Sequence, residues 1–89
     1  MSSLNKIALV TGASSGIGKS LAIQLSEIGF QVILCSRRKE LLNDIEREIF
    51  DLGGKAHSIE LDVTKSSSVE NLFEESKKIG FVDVVINNA

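Results

Sequence analysis

Ile7-Ala8-Leu9-Val10-Thr11-Gly12-Ala13-Ser14-Ser15-Gly16-Ile17-Gly18 carries a four-residue apolar run into a glycine-rich turn, and an amphipathic run follows. That order predicts a strand, a tight turn and the start of a helix. Gly12 is placed to make the turn after the strand. Gly16 is placed to let the backbone approach a ligand, and Gly18 to let helix and strand pack closely. Ser14 and Ser15 offer hydroxyl donors, and Ile17 offers a main-chain N–H. A helix mouth of this kind can receive a diphosphate on its unpaired N–H groups and positive dipole end. An ordinary glycine turn with capping serines is the competing reading. The position between strand and helix favours a dinucleotide site.

Working outward, strands and helices alternate. From Gly16 the residues Ile17, Leu21, Leu25 and Ile28 recur at helical spacing, and Gly29 can stop that helix. Val32-Ile33-Leu34-Cys35 reads as a second strand. Leu41, Leu42, Ile45, Ile49 and Leu52 form a second helical stripe, closed by Gly53-Gly54. Ser58-Ile59-Glu60-Leu61 is a third strand. Ser67 and Glu70 fit a capping box. Val69, Leu72, Phe73 and Ile79 make a third stripe before Gly80, and Val82 with Val84-Val85-Ile86 gives a fourth strand. Leu21, Leu41, Leu72 and Phe73 are expected in the core. Strands alternating with helices imply parallel pairing through right-handed crossovers. The strands lack clean polar alternation, which suits a sheet covered on both faces. The expected fold is α/β, a partial three-layer doubly wound parallel sheet of the form βαβαβαβ with strand order 3-2-1-4. Its switch point lies between the first and fourth strands, where nucleotides bind.

The spacing T-G-x-x-x-G-x-G is wider than the G-x-G-x-x-G Rossmann fingerprint, and it resembles the short-chain dehydrogenase/reductase family. Two further stretches agree. Leu61-Asp62-Val63-Thr64 looks like that family's motif after the third strand, and Asn87-Asn88-Ala89 looks like the opening of its Asn-Asn-Ala-Gly motif. The resemblance covers essentially the whole chain and is to the Rossmann-like, cofactor-binding N-terminal half. It implies that Asp62, with Val63, meets the adenine. It also implies that Asn87, Asn88 and Ala89 contact the cofactor ribose and brace neighbouring strands. Asp62 has a competing role as a turn or capping residue, and the asparagines could simply end the strand.

The end of the second strand bears on which dinucleotide binds. NAD sites place a carboxylate there to accept from the ribose 2′-OH. This chain has Cys35-Ser36-Arg37-Arg38-Lys39 instead. A carboxylate would repel a 2′-phosphate, whereas Ser36, Arg37 and Arg38 can hold one. Cations near a helix start oppose its macrodipole, which makes more sense if an anion docks there. The expected cofactor is NADP(H) rather than NAD, and the resemblance puts Arg37 opposite the 2′-phosphate. Replacing Ser36 by Asp together with Arg37 by Ala is expected to swing preference toward NAD.

Composition narrows the remaining options. The 89 residues carry a formal charge of −2 with no basic cluster suited to nucleic acid. No apolar run is long enough to span a membrane, and Met1 to Lys6 lacks a signal-peptide core. A single cysteine, Cys35, excludes an internal disulfide and suits a reducing compartment, so cytoplasmic is the expected location. Cys35 reads as inert packing and His57 as a structural residue. No metal-ligand spacing occurs.

The family's hydride chemistry uses a Ser and a Tyr-x-x-x-Lys pair, and this chain has no tyrosine. Residues 1–89 are therefore expected to be an NADP(H)-binding half-domain truncated before the catalytic segment, with no catalytic residue and no substrate site. The parent activity implied by the resemblance is carbonyl/alcohol interconversion by hydride transfer. A non-catalytic module that binds nucleotide or a partner is the alternative. The fourth strand is expected at an open edge, where it could self-associate or pair with a partner. A short chain with such an edge is expected to be marginally stable and prone to aggregation.

Overall fold

Strand β1 (Ile7–Thr11) is followed by helix α1 (Gly16–Glu27), β2 (Gln31–Ser36), α2 (Lys39–Asp51), β3 (Ala56–Glu60), α3 (Ser66–Ile79) and β4 (Val82–Asn87). The computed structural model describes residues 6–14 and 16–88. All strand pairs are parallel, and the sheet order is β3-β2-β1-β4, as the alternating pattern predicts. The second and third strands begin earlier than their apolar runs suggest, at Gln31 and Ala56. Gln31 pairs with Ile7 and Ala56 with Val32 in the ladder.

Helices α1 and α2 cover one face of the sheet. Val10, Val32 and Leu34 point toward them and pack with Ala22, Leu42, Ile45 and Ile49. Helix α3 lies on the other face, over Ile7, Leu9, Ile33, Cys35 and Ile59. The two sets alternate along each strand because successive side chains point to opposite faces. Both faces of β1 and β2 are buried, which explains their continuous apolar runs.

The third layer is thinner. Strand β4 alternates half-buried and exposed residues along its length. Phe73, expected in the core, is 61% exposed, beside Phe81 and Val85 in a groove of about 590 Å³. Helical periodicity marks the apolar flank of α3 correctly. Leu72 and Ser76 on that flank are buried, whereas Phe73 is exposed because no described element lies opposite it. Leu21 and Leu41 are half-buried, and Ile17, Ile28 and Leu52 at helix ends are exposed.

The Ser67–Glu70 capping box does not form. Lys65, with extended backbone at φ −118° and ψ 118°, is the N-cap residue, and helix starts at Ser66. Ser67 is therefore already inside the first turn. Lys77 and Lys78 sit in the last turn, where the helix dipole favours cations.

One irregularity sets the register of β4. Ile7 pairs with Val82 but Ala8 pairs with Val84, so Asp83 is an extra residue. Its carboxylate Oδ2 accepts the Ile7 N–H at 2.9 Å. Val82 then packs with Ile7 on the α3 face, while Ile86 packs on the α1 face.

Candidate functional site

The carboxyl ends of β1, β2, β3 and β4 open into a cleft of about 470 Å³. Its walls combine residues from all the sequence motifs: Gly12 and Ser14, Ser36 to Arg38, Asp62 and Val63, and Asn87. Strand order reverses direction at β1, so this is the crevice where parallel α/β sheets bind ligands.

The glycine turn is built by close contacts behind it and open space in front. Gly12 has φ +62°, and a Cβ there would land on the Asn88 carbonyl oxygen. A Cβ at Gly18 would collide with the Gly12 carbonyl oxygen and sit 2.7 Å from Asn88 Nδ2. Gly16 is different. Its φ is +61°, yet nothing lies within 4 Å of where its Cβ would be. The first turn of α1 thus begins on bare backbone next to open space, as a diphosphate cradle requires. Ala13 N–H donates to the Cys35 carbonyl at 3.0 Å and ties the turn to the end of β2.

Asn88 and Asn87 act mainly as a brace. Thr11 hydroxyl donates to Asn87 Oδ1 at 2.8 Å and accepts from the Asn88 N–H at 3.0 Å. Asn88 Nδ2 donates to the Gly12 carbonyl at 3.3 Å. These bonds lock the end of β4 to the glycine turn. Asn87 also lines the cleft, whereas Asn88 is held behind the turn. Thr11 is the centre of this relay, and its place just before Gly12 was the one signal in the sequence that could have found it.

Asp62 has a local role. Its Oδ1 accepts from the Thr64 N–H at 3.0 Å and from the Thr64 hydroxyl at 2.6 Å. The hydroxyl bond, then the N–H bond, holds its carboxyl below the ordinary carboxylate range, with Lys65 and Arg37 adding weaker positive fields. Asp62 is therefore an anion at neutral pH and closes an Asx turn. Its own N–H donates to Ser68 Oγ at 2.9 Å, which fixes the loop to α3. Val63 is 75% exposed on the cleft wall.

At the end of β2, Ser36 Oγ accepts the Arg38 N–H at 3.0 Å and shapes the entry to α2. Arg38 is the N-cap residue of that helix and makes no side-chain cap. Arg37, Arg38 and Lys39 are exposed, and none is in an ion pair among the described residues. Glu40 lies in the first turn of α2 and Asp62 across the cleft, but neither pairs with these three cations, which leave this rim of the cleft with an excess of positive charge beside a helix start.

Gly12 and Ser14 thus share one cleft with Ser36, Arg37, Arg38, Asp62, Val63 and Asn87, while Gly16 opens the adjoining helix and Gly18 packs behind the turn. Ile17 is 71% exposed at the helix mouth. Ser15 and Ala89 lie outside the described residues. Cys35 is fully buried beneath the cleft floor, and burial pushes its thiol up to about 12. His57 shares a 2.6 Å hydrogen bond with Gln31 far from the cleft, which is a structural role. Among the described residues no cluster suits a metal ion, and no helix is long and apolar enough to cross a membrane.

Comparison with known proteins points to one family. A family model for short chain dehydrogenases matches residues 6–89. A 3-oxoacyl-(acyl-carrier-protein) reductase, FabG, of Staphylococcus epidermidis is 40% identical over 88 residues, covering 97% of this chain and 36% of that protein. A metagenomic short-chain oxidoreductase solved with NADP superposes with a TM-score of 0.91 at 39% identity, covering 99% of this chain and 41% of that one. An actinorhodin polyketide ketoreductase solved with NADPH gives 0.88 at 37% identity, over 96% of this chain and 33% of its own. The chain spans about a third to two fifths of the length of these relatives, their N-terminal portion.

Proposed function

Since this chain belongs to the short-chain dehydrogenase/reductase family, we propose that residues 1–89 form the NADP(H)-binding part of an oxidoreductase that interconverts carbonyl and alcohol groups. The observation that carries this reading is the meeting of an open glycine turn and a basic rim free of ion pairs, among the described residues, at one cleft. The relatives solved with NADP and NADPH support it.

The residues present fit such a cofactor. The main chain at Gly16 and Ile17, with the Ser14 and Ser15 hydroxyls, would hold the diphosphate. Ser36, Arg37 and Arg38 would hold the adenosine 2′-phosphate. Asp62 and Val63 would flank the adenine, and Asn87, Asn88 and Ala89 would meet the ribose side. NADP(H), when bound, supplies or accepts the hydride. This chain's own residues bind and orient it. The 89 residues contain no tyrosine, so none of them offers a tyrosine hydroxyl for proton exchange at a carbonyl.

Fluorescence titration of the purified chain with NADPH and NADH tests the reading. One charge-assisted contact to the extra phosphate is expected to favour NADPH roughly 10–100-fold. The double variant Ser36→Asp/Arg37→Ala is expected to erase or reverse that preference. NADH binding that excludes NADPH, or a preference unchanged in the double variant, would overturn the assignment.

A further inference from the structure

The outer edge of β3 carries a second feature, on the side of the sheet remote from β4. Val32 N–H donates to the Lys55 carbonyl at 3.0 Å, and Leu61 N–H donates to the Ser36 carbonyl at 2.8 Å. In a parallel ladder alternate residues face a given neighbour. His57 and Ile59 therefore complete the bonds to β2. Ala56, Ser58 and Glu60 direct their N–H and C=O groups away from the sheet. These outward groups are arranged symmetrically about Ser58.

Helix α2 flanks this edge with a stripe of its own. Asn43, Glu46, Arg47 and Phe50 line a groove of about 730 Å³ that runs along the helix beside Ala56 and His57. Their spacing puts them on one helix face. The stripe has a midpoint between Glu46 and Arg47. Turned end for end, it sets Arg47 against Glu46 twice and Phe50 against the small Asn43 twice. Phe50 is 74% exposed and has the size to fill the groove of a facing copy. The midpoint of the stripe and the midpoint of the strand also coincide in space, since Ser58 Oγ donates to Glu46 Oε1 at 2.7 Å. One twofold axis normal to the sheet can thus serve both elements. A bound peptide needs no such coincidence, but an isologous dimer does.

We propose that a second copy of this chain docks antiparallel along the β3 edge, pairing β3 about Ser58 and α2 about Glu46 and Arg47 into one eight-stranded sheet. The contact is independent of the cofactor cleft, which opens at the carboxyl ends of the strands. It uses the edge opposite β4.

Sedimentation velocity of the full chain over a wide micromolar range tests this. The expected result is a concentration-dependent monomer–dimer equilibrium. Arg47→Glu places like charges together at two symmetric contacts and is expected to raise the dissociation constant roughly tenfold. The double variant Glu46→Arg/Arg47→Glu restores opposite charges and is expected to recover dimer. Ser58→Pro deletes an outward N–H without removing a bond to β2, and is expected to weaken the dimer with the circular dichroism spectrum retained. A chain that stays monomeric throughout would overturn the proposal. So would a dimer that survives both Arg47→Glu and Ser58→Pro but is lost in Val85→Lys, which would assign association to β4.

Discussion

Cys35 and Arg37 are two residues apart in the chain, and the structure gives them opposite environments. Cys35 faces α3 and has no exposed surface, so its thiol stays protonated at neutral pH. Its pKa is raised by folding, from 9.0 to about 12. The stability it contributes is therefore complete below the unfolded value and is lost as pH climbs between those two values. Alkaline denaturation monitored by circular dichroism is expected to show stability falling in that window, with Cys35→Ala removing this part of the pH dependence. At pH 8 a small thiol reagent is expected to modify the folded chain roughly a thousandfold more slowly than the denatured chain, following the thiolate fraction. Arg37, one position past the strand, is exposed beside the cleft and adds positive field to Asp62.

At the scale of elements, the three glycines of the first turn do different work. Gly18→Ala forces a methyl group against the backbone carbonyl of Gly12 and against the Asn88 side-chain amide that is bonded to it. It is expected to lower stability by about 1–3 kcal/mol, read from the thermal midpoint. Gly16→Ala meets no neighbour, so its cost is limited to the left-handed backbone, about 1–2 kcal/mol. Its larger effect is expected on NADPH affinity, because the methyl group occupies the cradle. This element was legible in the sequence because turn, cradle and packing glycines act over a few residues. The Ser36–Arg38 rim was legible for the same reason. Bracing by Asn87 and Asn88 was implied by the family resemblance, but Thr11 as their partner was not legible, since the relay joins residues 76 and 77 positions apart. The capping box at Ser67 failed because the Asp62–Thr64 turn delivers the chain to the helix at Lys65, and Ser68 is already committed to the Asp62 N–H. Asp62 itself fitted both a turn and a ligand contact in the sequence, and the turn is what the hydrogen bonds display.

For the whole molecule, the two sheet faces are unequal. Two helices cover one face and a single helix covers the other. Phe73, Phe81 and Val85 are left exposed above Leu9. Periodicity showed which flank of α3 is apolar, but it carries no information about whether anything lies opposite. An apolar patch beside an open strand edge promotes association. Phe73→Asp with Phe81→Lys is expected to raise the concentration at which the chain aggregates. It is expected to shift stability by only about 0.5 kcal/mol, because neither side chain is packed. Light scattering and thermal unfolding of the same samples would separate the two effects. A large loss of stability would mean that the phenylalanines are anchored.

The single added residue at Asp83 governs chemistry at the far end of its strand. Carried forward without that insertion, the pairing of Ile7 with Val82 would bring Ile86, not Asn87, alongside Thr11. The threonine hydroxyl would then face a hydrocarbon, and the fastening between the last strand and the glycine turn would be gone. A frame offset of one position, set where the sheet begins, thus decides which side chain arrives at the cleft where it ends.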